Sequence, residues 1–225
     1  MKIATWNVNS LRVRLPHLLD WLATAKPDVV GLQELKCEDH QFPTEALAEV
    51  GYQSVSHGQK TYNGVALLAR QPLEDVQRGI PAFEDEQRRV IAARIGGIRV
   101  VNAYVVNGQA VGGEKYAYKL RFLDAFRHWL QTELTQHDDL LVMGDFNIAP
   151  TPEDTHDPQV WEGAILCSDA ERAAIQEERR DSRYAPSVSL HGEYRLRFNM
   201  MSDIPLQTQE RTGLPTELGQ NYWAN

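Results

Sequence analysis

The alternation of apolar and polar segments along the chain predicts a mixed α/β protein. Apolar runs of strand length recur between segments with helical spacing of their leucines and other apolar residues. The predicted strands are 2–6, 27–34, 64–70, 88–95, 98–105 and 139–146. The predicted helices are 11–25, 42–50, 115–134 and a polar one at 169–180. This order, with strands that pair locally and are flanked by helices, is typical of a layered α/β or α+β sandwich.

Two punctuating residues refine these boundaries. Gly96 and Gly97 separate two predicted strands and indicate a tight hairpin turn. Pro16 is expected near the first turn of the helix proper, because proline is accepted at the start of a helix.

The last part of the chain has a different pattern. Residues 175–225 contain six arginines and no lysine. Their apolar periodicity is lost apart from one alternating run, 194–200, which could form a strand. The sequence therefore predicts a main folded part over 1–174 and an atypical tail over 175–225.

Composition excludes several classes of protein. The formal net charge is −8, which argues against a protein that coats nucleic acid through bulk charge. It does not exclude an enzyme that grips phosphates with a local patch and a divalent metal. No segment has the apolar length needed to span a bilayer, and the N-terminus lacks a signal-peptide core, so the cytoplasm is the expected compartment.

The sequence also carries few signs of a disulfide or a zinc site. Cys37 and Cys167 lie far apart in the chain, which makes a disulfide framework improbable in a reducing compartment. The seven histidines are scattered, and no HExxH motif is present.

Polar side chains stand where the apolar runs end. They are Asn7, Glu34, Tyr104, Asp145 and Asn147. In layered α/β folds, side chains from the ends of separate strands converge on a ligand at one edge of the sheet. Carboxylates and amides suit a hard cation such as Mg²⁺, which prefers oxygen ligands and keeps several waters.

Taken singly, each of these residues has a structural explanation. An asparagine after a strand is usually a turn or cap residue. Glu34 alone reads as a surface carboxylate, and Tyr104 as a core aromatic with a satisfied hydroxyl. The segment 145–147 reads as an Asx turn, and Arg88 and Arg89 as solvated charges at a strand end. The case for function depends on all of them occurring together and in order.

Six motifs carry a family resemblance. They are "WNVNSLR" (6–12), "QELK" (33–36), "GQKTYNGVALL" (58–68), "QRRVIAA" (87–93), "VVNAYVVNG" (100–108) and "MGDFNIAP" (143–150). Together they resemble the exonuclease III group of AP endonucleases, within the endonuclease/exonuclease/phosphatase superfamily that also contains DNase I. The match runs in the expected order through about residues 1–174, which would then be the N-terminal part of that domain.

The resemblance implies a four-layered α/β sandwich of the DNase I type and a Mg²⁺-dependent DNA phosphodiesterase, with Mn²⁺ as a possible substitute. Such enzymes cleave DNA beside abasic sites and remove nucleotides from 3′ ends. By position, Glu34 resembles the metal-binding carboxylate, with Asn7 beside it. Asp145 resembles the residue that orients or deprotonates the attacking water. Asn147 would hold the phosphate, and Tyr104 would contact the phosphate or the leaving group.

The same resemblance suggests a DNA-binding surface. Lys60 and Tyr62 in "GQKTYNG", together with Arg89, are placed where they could touch a DNA backbone. A plain hairpin loop with an exposed lysine explains Lys60 and Tyr62 about equally well. The implied partner is double-stranded DNA with an abasic site or a 3′ end, acted on by a monomer without a membrane partner.

The resemblance stops in the tail. Three motifs that complete the family are not found: a Trp/Phe-Asp-Tyr-Arg segment, a strand with "LRID", and a Ser-Asp-His-Ala-Pro motif. The nearest echo, "MSDIPL" (201–206), has Ile204 where the histidine belongs. The sandwich is therefore expected to be incomplete at the C-terminus, and a shifted reading frame or a truncated gene is one hypothesis for the change. Sequencing the source DNA would refute it if the alternate frame lacked the missing motifs.

Two other functions stay open. The chain could be an inactive remnant that at most binds DNA, because the motifs missing from the tail include a catalytic Asp–His pair. It could also be a phosphodiesterase of the same superfamily that acts on a phosphate ester other than DNA. The "GQKTYNGVALL" match to the DNA-repair branch argues against the latter.

Overall fold

The computed structural model describes residues 1–181. The strands there are β1 (Ile3–Asn7), β2 (Val29–Gln33), β3 (Gln53–His57), β4 (Val65–Ala69), β5 (Glu74–Arg78), β6 (Val90–Ile95), β7 (Ile98–Tyr104) and β8 (Leu140–Asp145). The helices are α1 (Leu11–Ala25), α2 (Thr44–Glu49), α3 (Glu114–Gln136), α4 (Pro158–Trp161) and α5 (Asp169–Asp181). None of these helices is both long and apolar enough to cross a membrane. The strand predicted at 194–200 and the "MSDIPL" segment at 201–206 lie outside the described residues.

The eight strands form two four-stranded sheets. The first has the order β1-β2-β4-β3 and the second the order β5-β6-β7-β8. In each sheet one pair is parallel, β1 with β2 and β7 with β8, and the other pairs are antiparallel. Because parallel strands end at the same edge, the ends of β1 and β2 lie together, and so do the ends of β7 and β8. β1 and β8 also contact each other across the two sheets, so all four ends meet in one region.

Three apolar clusters hold the layers together. The sheets pack on each other through residues such as Val29, Leu67, Ile91, Val100 and Met143. A second cluster packs α1 and α2 on the outer face of the first sheet, and a third packs α3 and α5 on the outer face of the second. Central strands are covered on both faces, which explains why they read as continuous apolar runs. The predicted four-layered α/β sandwich is confirmed.

The range of α1 is as predicted, but the expected place of Pro16 in its first turn is wrong. The helix begins at Leu11, so Pro16 lies inside it rather than in its first turn. The reason is tertiary: the Leu11 N–H donates to the Leu35 carbonyl at 2.9 Å, and the Leu11 side chain is 1% exposed. Anchoring to the end of β2 therefore fixes the first turn despite the interior proline, which removes one helical hydrogen bond. All the other predicted elements within 1–181 agree to within two residues at each end.

Two strands were not predicted. β3 and β5 are the outer strands of their sheets, each paired on one side only within the described part of the chain. Their sequences, "QSVSH" and "EDVQR", lack the apolar run that marks the central strands. β5 is mostly exposed and has a register shift between Glu74 and Gln77. Such strands owe their conformation to the neighbour that they pair with, not to their own composition.

The glycine hairpin is confirmed. β6 and β7 pair antiparallel, with Ile95 opposite Ile98. Gly96 and Gly97 between them have φ values of 59° and 89°. A two-residue turn with both residues at positive φ matches the twist of the flanking strands, and glycine adopts it without strain.

Candidate active site

The five polar residues at the strand ends lie together in the structure. Asn7 ends β1, Tyr104 ends β7 and Asp145 ends β8, while Glu34 directly follows β2. The register places Tyr104 opposite Asp145, and Asn7 opposite the residue before Glu34. Asn147 follows Asp145 by two positions. We call Asn7, Glu34, Tyr104, Asp145 and Asn147 the edge cluster.

The side-chain amide of Asn7 joins two carboxylates. Its Nδ2 donates to Glu34 Oε1 at 2.7 Å and to Asp145 Oδ2 at 2.7 Å. Asn7 is 5% exposed and Asp145 is 9% exposed. Two carboxylates this close repel each other, and the two hydrogens of one amide nitrogen offset that repulsion. The arrangement gathers two negative groups from different sheets at one point.

Glu34 has further partners. Its Oε1 also accepts from the Tyr104 hydroxyl at 2.9 Å, and its Oε2 lies 3.1 Å from Lys36 Nζ. Burial acts to raise the pKa of Glu34, but hydrogen bonds from Asn7, Lys36 and Tyr104 outweigh it, so the pKa lies below its ordinary value. Glu34 is therefore ionised at neutral pH.

The Arg89 side chain packs against the ring of Tyr104. The Arg89 guanidinium carbon lies 4.9 Å from the centre of the Tyr104 ring, and Nη1 donates to the Tyr104 carbonyl at 3.2 Å. Burial, and then the charge of Glu34, raise the pKa of Tyr104 above its ordinary value, so the hydroxyl stays a donor.

Arg89 differs from the expectation of a solvated charge. It is 8% exposed, and its Nε and Nη2 donate to Gln87 Oε1 at 3.0 and 2.7 Å. Its neighbour Arg88 is exposed, as expected. Contact of Arg89 with DNA stays a prediction, while its observed position supports the Tyr104 ring.

Asn147 forms the turn that its spacing suggested, and its side chain stays at the site. Its N–H donates to Asp145 Oδ1 at 3.2 Å, which makes the Asx turn. Its Nδ2 donates to the Val105 carbonyl at 2.9 Å, and Asn107 Nδ2 lies 3.5 Å from its Oδ1. The structural and functional explanations of this segment are thus compatible.

The packing around Gly144 explains why the "GDFN" motif begins with glycine. A Cβ at this position would lie 1.9 Å from the Ala103 carbonyl oxygen. The backbone of β8 can approach β7 this closely only without a side chain at residue 144. That approach brings Asp145 beside Tyr104.

The loop 58–64 borders the edge cluster. Its end is pinned to the end of β2, since the Leu35 and Lys36 N–H groups donate to the carbonyls of Gly64 and Asn63 at 3.1 and 3.0 Å. Lys60 is exposed and Tyr62 is 68% exposed. Both predicted DNA-binding residues of this loop are therefore exposed, in a loop whose end is bonded to the residues that follow Glu34.

Sequence reasoning missed two residues of the site. Lys36 bridges Glu34 and Asn9, with Nζ 2.5 Å from Asn9 Oδ1. Asn107 lies against Asn147. Both stand inside the motifs "QELK" and "VVNAYVVNG", so their proximity to predicted site residues was the available signal.

A buried polar layer lies directly beneath the edge cluster. Gln33 Nε2 donates to Thr5 Oγ1 at 2.8 Å and to Asn102 Oδ1 at 2.6 Å. Asn102 Nδ2 in turn donates to the carbonyls of Leu32 and Ala66 at 2.8 and 2.9 Å. We call Thr5, Gln33 and Asn102 the inter-sheet cluster, because it ties β1, β2 and β4 to β7. It fixes the relative position of the strands that carry the edge cluster.

The cation-binding capacity of the edge cluster is modest. Over residues 1–181, no three or more His, Cys, Asp or Glu side chains are grouped as a metal cage. The edge cluster instead offers two carboxylates, two side-chain amides and a phenol, whose oxygen atoms could ligate a cation. Such a set fits a hard cation that keeps most of its waters, and it does not fit zinc.

A cavity lies away from the edge cluster. It has a volume of about 780 Å³ and is lined by residues of β5 and the second half of α3, together with Phe83 and Arg99. None of the edge cluster lines it.

The chain matches one family model and is similar in sequence to a curated relative. Residues 4–210 match the model of the Endonuclease/Exonuclease/phosphatase family. Exodeoxyribonuclease III of Haemophilus influenzae is 38% identical over 161 residues, which is 68% of this chain and 60% of that protein. This chain thus spans less than two thirds of the length of that curated relative.

Solved structures agree in fold. The 3′ phosphatase NExo from Neisseria, bound to a product DNA hairpin, has 46% sequence identity and a TM-score of 0.80, covering 81% of this chain and 71% of that one. An AP endonuclease from Archaeoglobus fulgidus has 38% identity and a TM-score of 0.75, covering 79% and 69%.

Proposed function

Since the chain belongs to the exonuclease III/AP endonuclease family of DNA-repair hydrolases, we propose that it is a Mg²⁺-dependent DNA phosphodiesterase that acts at abasic sites and 3′ ends. The observation that carries the proposal is the Asn7 amide between Glu34 and Asp145. It joins two strand-end carboxylates from different sheets at an open edge, next to a tyrosine hydroxyl and a second asparagine.

Asp145 is proposed to orient the attacking water and accept its proton. Hydrolysis needs a nucleophilic water in line with the leaving oxygen and a group that takes up the proton. Asp145 Oδ2 is held by Asn7 and Oδ1 by the Asn147 N–H, so the carboxylate is fixed at the end of β8.

Asn147 and Tyr104 are proposed to bind the phosphate. Their side chains are neutral donors, so they stabilise negative charge on phosphoryl oxygens without adding a charge of their own. The Tyr104 hydroxyl points to Glu34 in the structure, and a phosphate at that edge offers it an alternative acceptor.

Glu34 and Asn7 are the residues proposed to hold the divalent cation. When bound, Mg²⁺ neutralises charge on the phosphate and assists departure of the leaving oxygen. The low pKa of Glu34 keeps its carboxylate available as a hard ligand at neutral pH. Mn²⁺ has the same ligand preference and is expected to substitute.

The proposed DNA surface surrounds this edge. Lys60 and Tyr62 are exposed in the loop 58–64, whose end is bonded to the residues that follow Glu34, and we propose that they contact the backbone of a duplex. Arg89 is proposed to act there mainly through Tyr104, given its burial. We further propose that the protein acts as a monomer in the cytoplasm, where the free buried thiols of Cys37 and Cys167 would stay reduced.

The test is a nicking assay on a duplex with one abasic site and a second duplex with a recessed 3′ end. We expect cleavage with Mg²⁺, none with EDTA, and a loss of about 10²–10³-fold or more in Glu34→Gln. The matched control is Glu38→Gln, a nearby carboxylate outside the edge cluster. Cleavage that persists undiminished in EDTA and in Glu34→Gln would refute the proposal.

Two outcomes would favour the alternatives. No cleavage by a folded chain at high concentration indicates an inactive remnant. Preferential hydrolysis of a sugar or lipid phosphate in competition with DNA indicates a different phosphate ester as substrate.

A further inference from the structure

A buried lysine lies behind the edge cluster without belonging to it. Lys119 of α3 and Glu171 of α5 have side chains that are 0% exposed, with Nζ 2.5 Å from Glu171 Oε1. Nζ also donates to the main-chain carbonyls of Asn147 at 2.6 Å and Asn107 at 3.2 Å. An ammonium has three hydrogens, so all of its donors are used inside the protein.

Glu171 is held equally firmly. Its Oε2 accepts from the Ser168 N–H at 3.1 Å and from Ser168 Oγ at 2.7 Å. The Glu171 N–H lies 3.4 Å from Ser168 Oγ, which completes a capping box at the start of α5. Its Oε1 accepts a further bond from the Leu166 N–H at 3.2 Å. The carboxylate therefore gives Lys119 a fixed anchor.

Stability alone does not explain such a pair. Removing two charges from water is unfavourable, and apolar residues of similar volume often replace a buried ion pair without loss of stability. We therefore ask which groups the Lys119–Glu171 pair fixes in position. Within residues 1–181, the hydrogen-bond partners of Lys119 besides Glu171 are the carbonyls of Asn147 and Asn107, whose side-chain amides meet 3.5 Å apart at the candidate active site.

Several hydrogen bonds hold the backbone conformation of Asn147. Its φ is 50°, in the left-handed region, which is uncommon but which asparagine enters more readily than most residues other than glycine. Its own N–H is committed to Asp145, and its side chain to Val105 and Asn107. The hydrogen bond from Lys119 occupies the main-chain carbonyl of Asn147.

We propose that the Lys119–Glu171 pair positions Asn147: it fixes the left-handed turn that aims the Asn147 amide at the phosphate. The inference rests on the proposed function, in which that amide stabilises the transition state. Lys119 and Glu171 touch no substrate, because neither is exposed. Weakening the pair therefore lowers kcat more than it changes KM.

The chain offers a matched control. Arg99 and Glu133 form a second buried pair, with Arg99 Nε 2.5 Å from Glu133 Oε2 and side chains 5% and 8% exposed. Arg99 stands opposite Leu140, the first residue of β8, whereas Asp145 is the last. The control pair thus shares burial and chemistry but lies at the other end of the strand.

The experiment compares Glu171→Gln, Glu133→Gln and Lys119→Met in steady-state cleavage of the abasic duplex. We expect kcat to fall about tenfold in Glu171→Gln and about 100-fold in Lys119→Met, with KM changed by no more than about twofold. Glu133→Gln leaves kcat within about twofold wherever the protein is folded, as urea unfolding will establish. Equal loss of kcat in Glu171→Gln and Glu133→Gln would overturn the proposal. If Lys119→Met does not fold, the two glutamine variants decide.

A double-mutant cycle separates positioning from general damage. In an Asn147→Ala background, Lys119→Met and Glu171→Gln lose most of their effect on kcat, because the group that they position is gone. An undiminished effect in that background contradicts the proposal. If the wild-type chain cleaves no substrate, the proposed function fails alone. The Asn147 amide signals in a ¹H–¹⁵N spectrum then decide: a shift in Glu171→Gln but not in Glu133→Gln supports positioning, and no shift refutes it.

Discussion

Gln33 and Glu34 are neighbours in sequence, yet their side chains serve two different regions of the molecule. Gln33 is 1% exposed and lies between the sheets, bonded to Thr5 and Asn102. Glu34 stands one residue further along, at the edge, where it meets Asn7 and Lys36. Glu34 directly follows β2 and has a φ of 55°, so the backbone leaves the extended conformation there and the side chain turns from the space between the sheets to the site at the strand ends.

The inter-sheet cluster and the edge cluster contain similar polar groups but differ in net charge. In the inter-sheet cluster all groups are neutral, and each amide nitrogen donates to an acceptor inside the protein. In the edge cluster two carboxylates share one amide, and excess negative charge is left facing an open edge. A neutral, closed network specifies how the sheets pack, whereas a charged, open one attracts a cation. The predictions below test this contrast.

The largest effect is expected from Gln33→Glu, which moves the charge of the edge into the core. A carboxylate there has no cation to pair with among its observed neighbours Thr5 and Asn102. We expect the free energy of unfolding at neutral pH to fall by roughly 3–5 kcal/mol, measured by urea denaturation. Burial raises the pKa of such a carboxyl in the folded state, so the loss should shrink as the pH falls. A loss below about 1 kcal/mol would contradict the neutral role of this cluster.

Glu34→Gln is the converse change, since it removes charge from the edge. Activity should fall by about 10²–10³-fold, while the free energy of unfolding changes by less than about 1 kcal/mol. The same nicking assay and urea titration measure both quantities. Unfolding of this variant would show that the edge cluster is structural as well.

Tyr104→Phe should have an intermediate effect. It removes one donor to Glu34 and one proposed donor to the phosphate, while Arg89 still packs on the ring. We expect kcat to fall about tenfold, which corresponds to one hydrogen bond to a charged group. Tyr52→Phe is the control, because the Tyr52 hydroxyl donates to the Pro27 carbonyl, which precedes β2 and lies at the opposite end of that strand from Glu34. Equal losses in the two variants would remove the assigned role of Tyr104.

The smallest effect concerns pH and a further contact between the sheets. His57 of β3 lies 3.2 Å from the Val90 carbonyl through Nδ1, and Arg88 Nη1 lies 2.7 Å from its Nε2. Burial lowers the pKa of His57 below its ordinary value of 6.5. The unfolded chain therefore binds a proton more readily than the folded one, so the contribution of His57 to stability is intact above pH 6.5 and is lost as the pH falls below it. Unfolding titrations across this range should show a steeper decline for the wild type than for His57→Gln, and parallel curves would contradict it.

Sequence patterns were sufficient for the elements that have strong internal signals. The continuous apolar runs of β2, β4, β7 and β8 and the leucine spacing of α1 define those elements without reference to neighbours. The same patterns failed for β3 and β5, whose conformation depends on a partner strand. The expected place of Pro16 in the first turn of α1 was wrong, because a backbone hydrogen bond from Leu11 to Leu35, just after β2, holds a helical turn ahead of the proline.

For the candidate site too, some features follow from the sequence and others only from the tertiary structure. By itself, the sequence determined which polar groups end the strands and, through six ordered motifs, the family. Only the tertiary structure decided that Asn7 lies between two carboxylates, that Arg89 is buried under Tyr104 rather than solvated, and that Lys119 holds the turn at Asn147. Local propensity acts over a few residues, whereas these contacts join residues up to 138 positions apart. Such contacts exist only after the sheets have packed, so no local pattern encodes them.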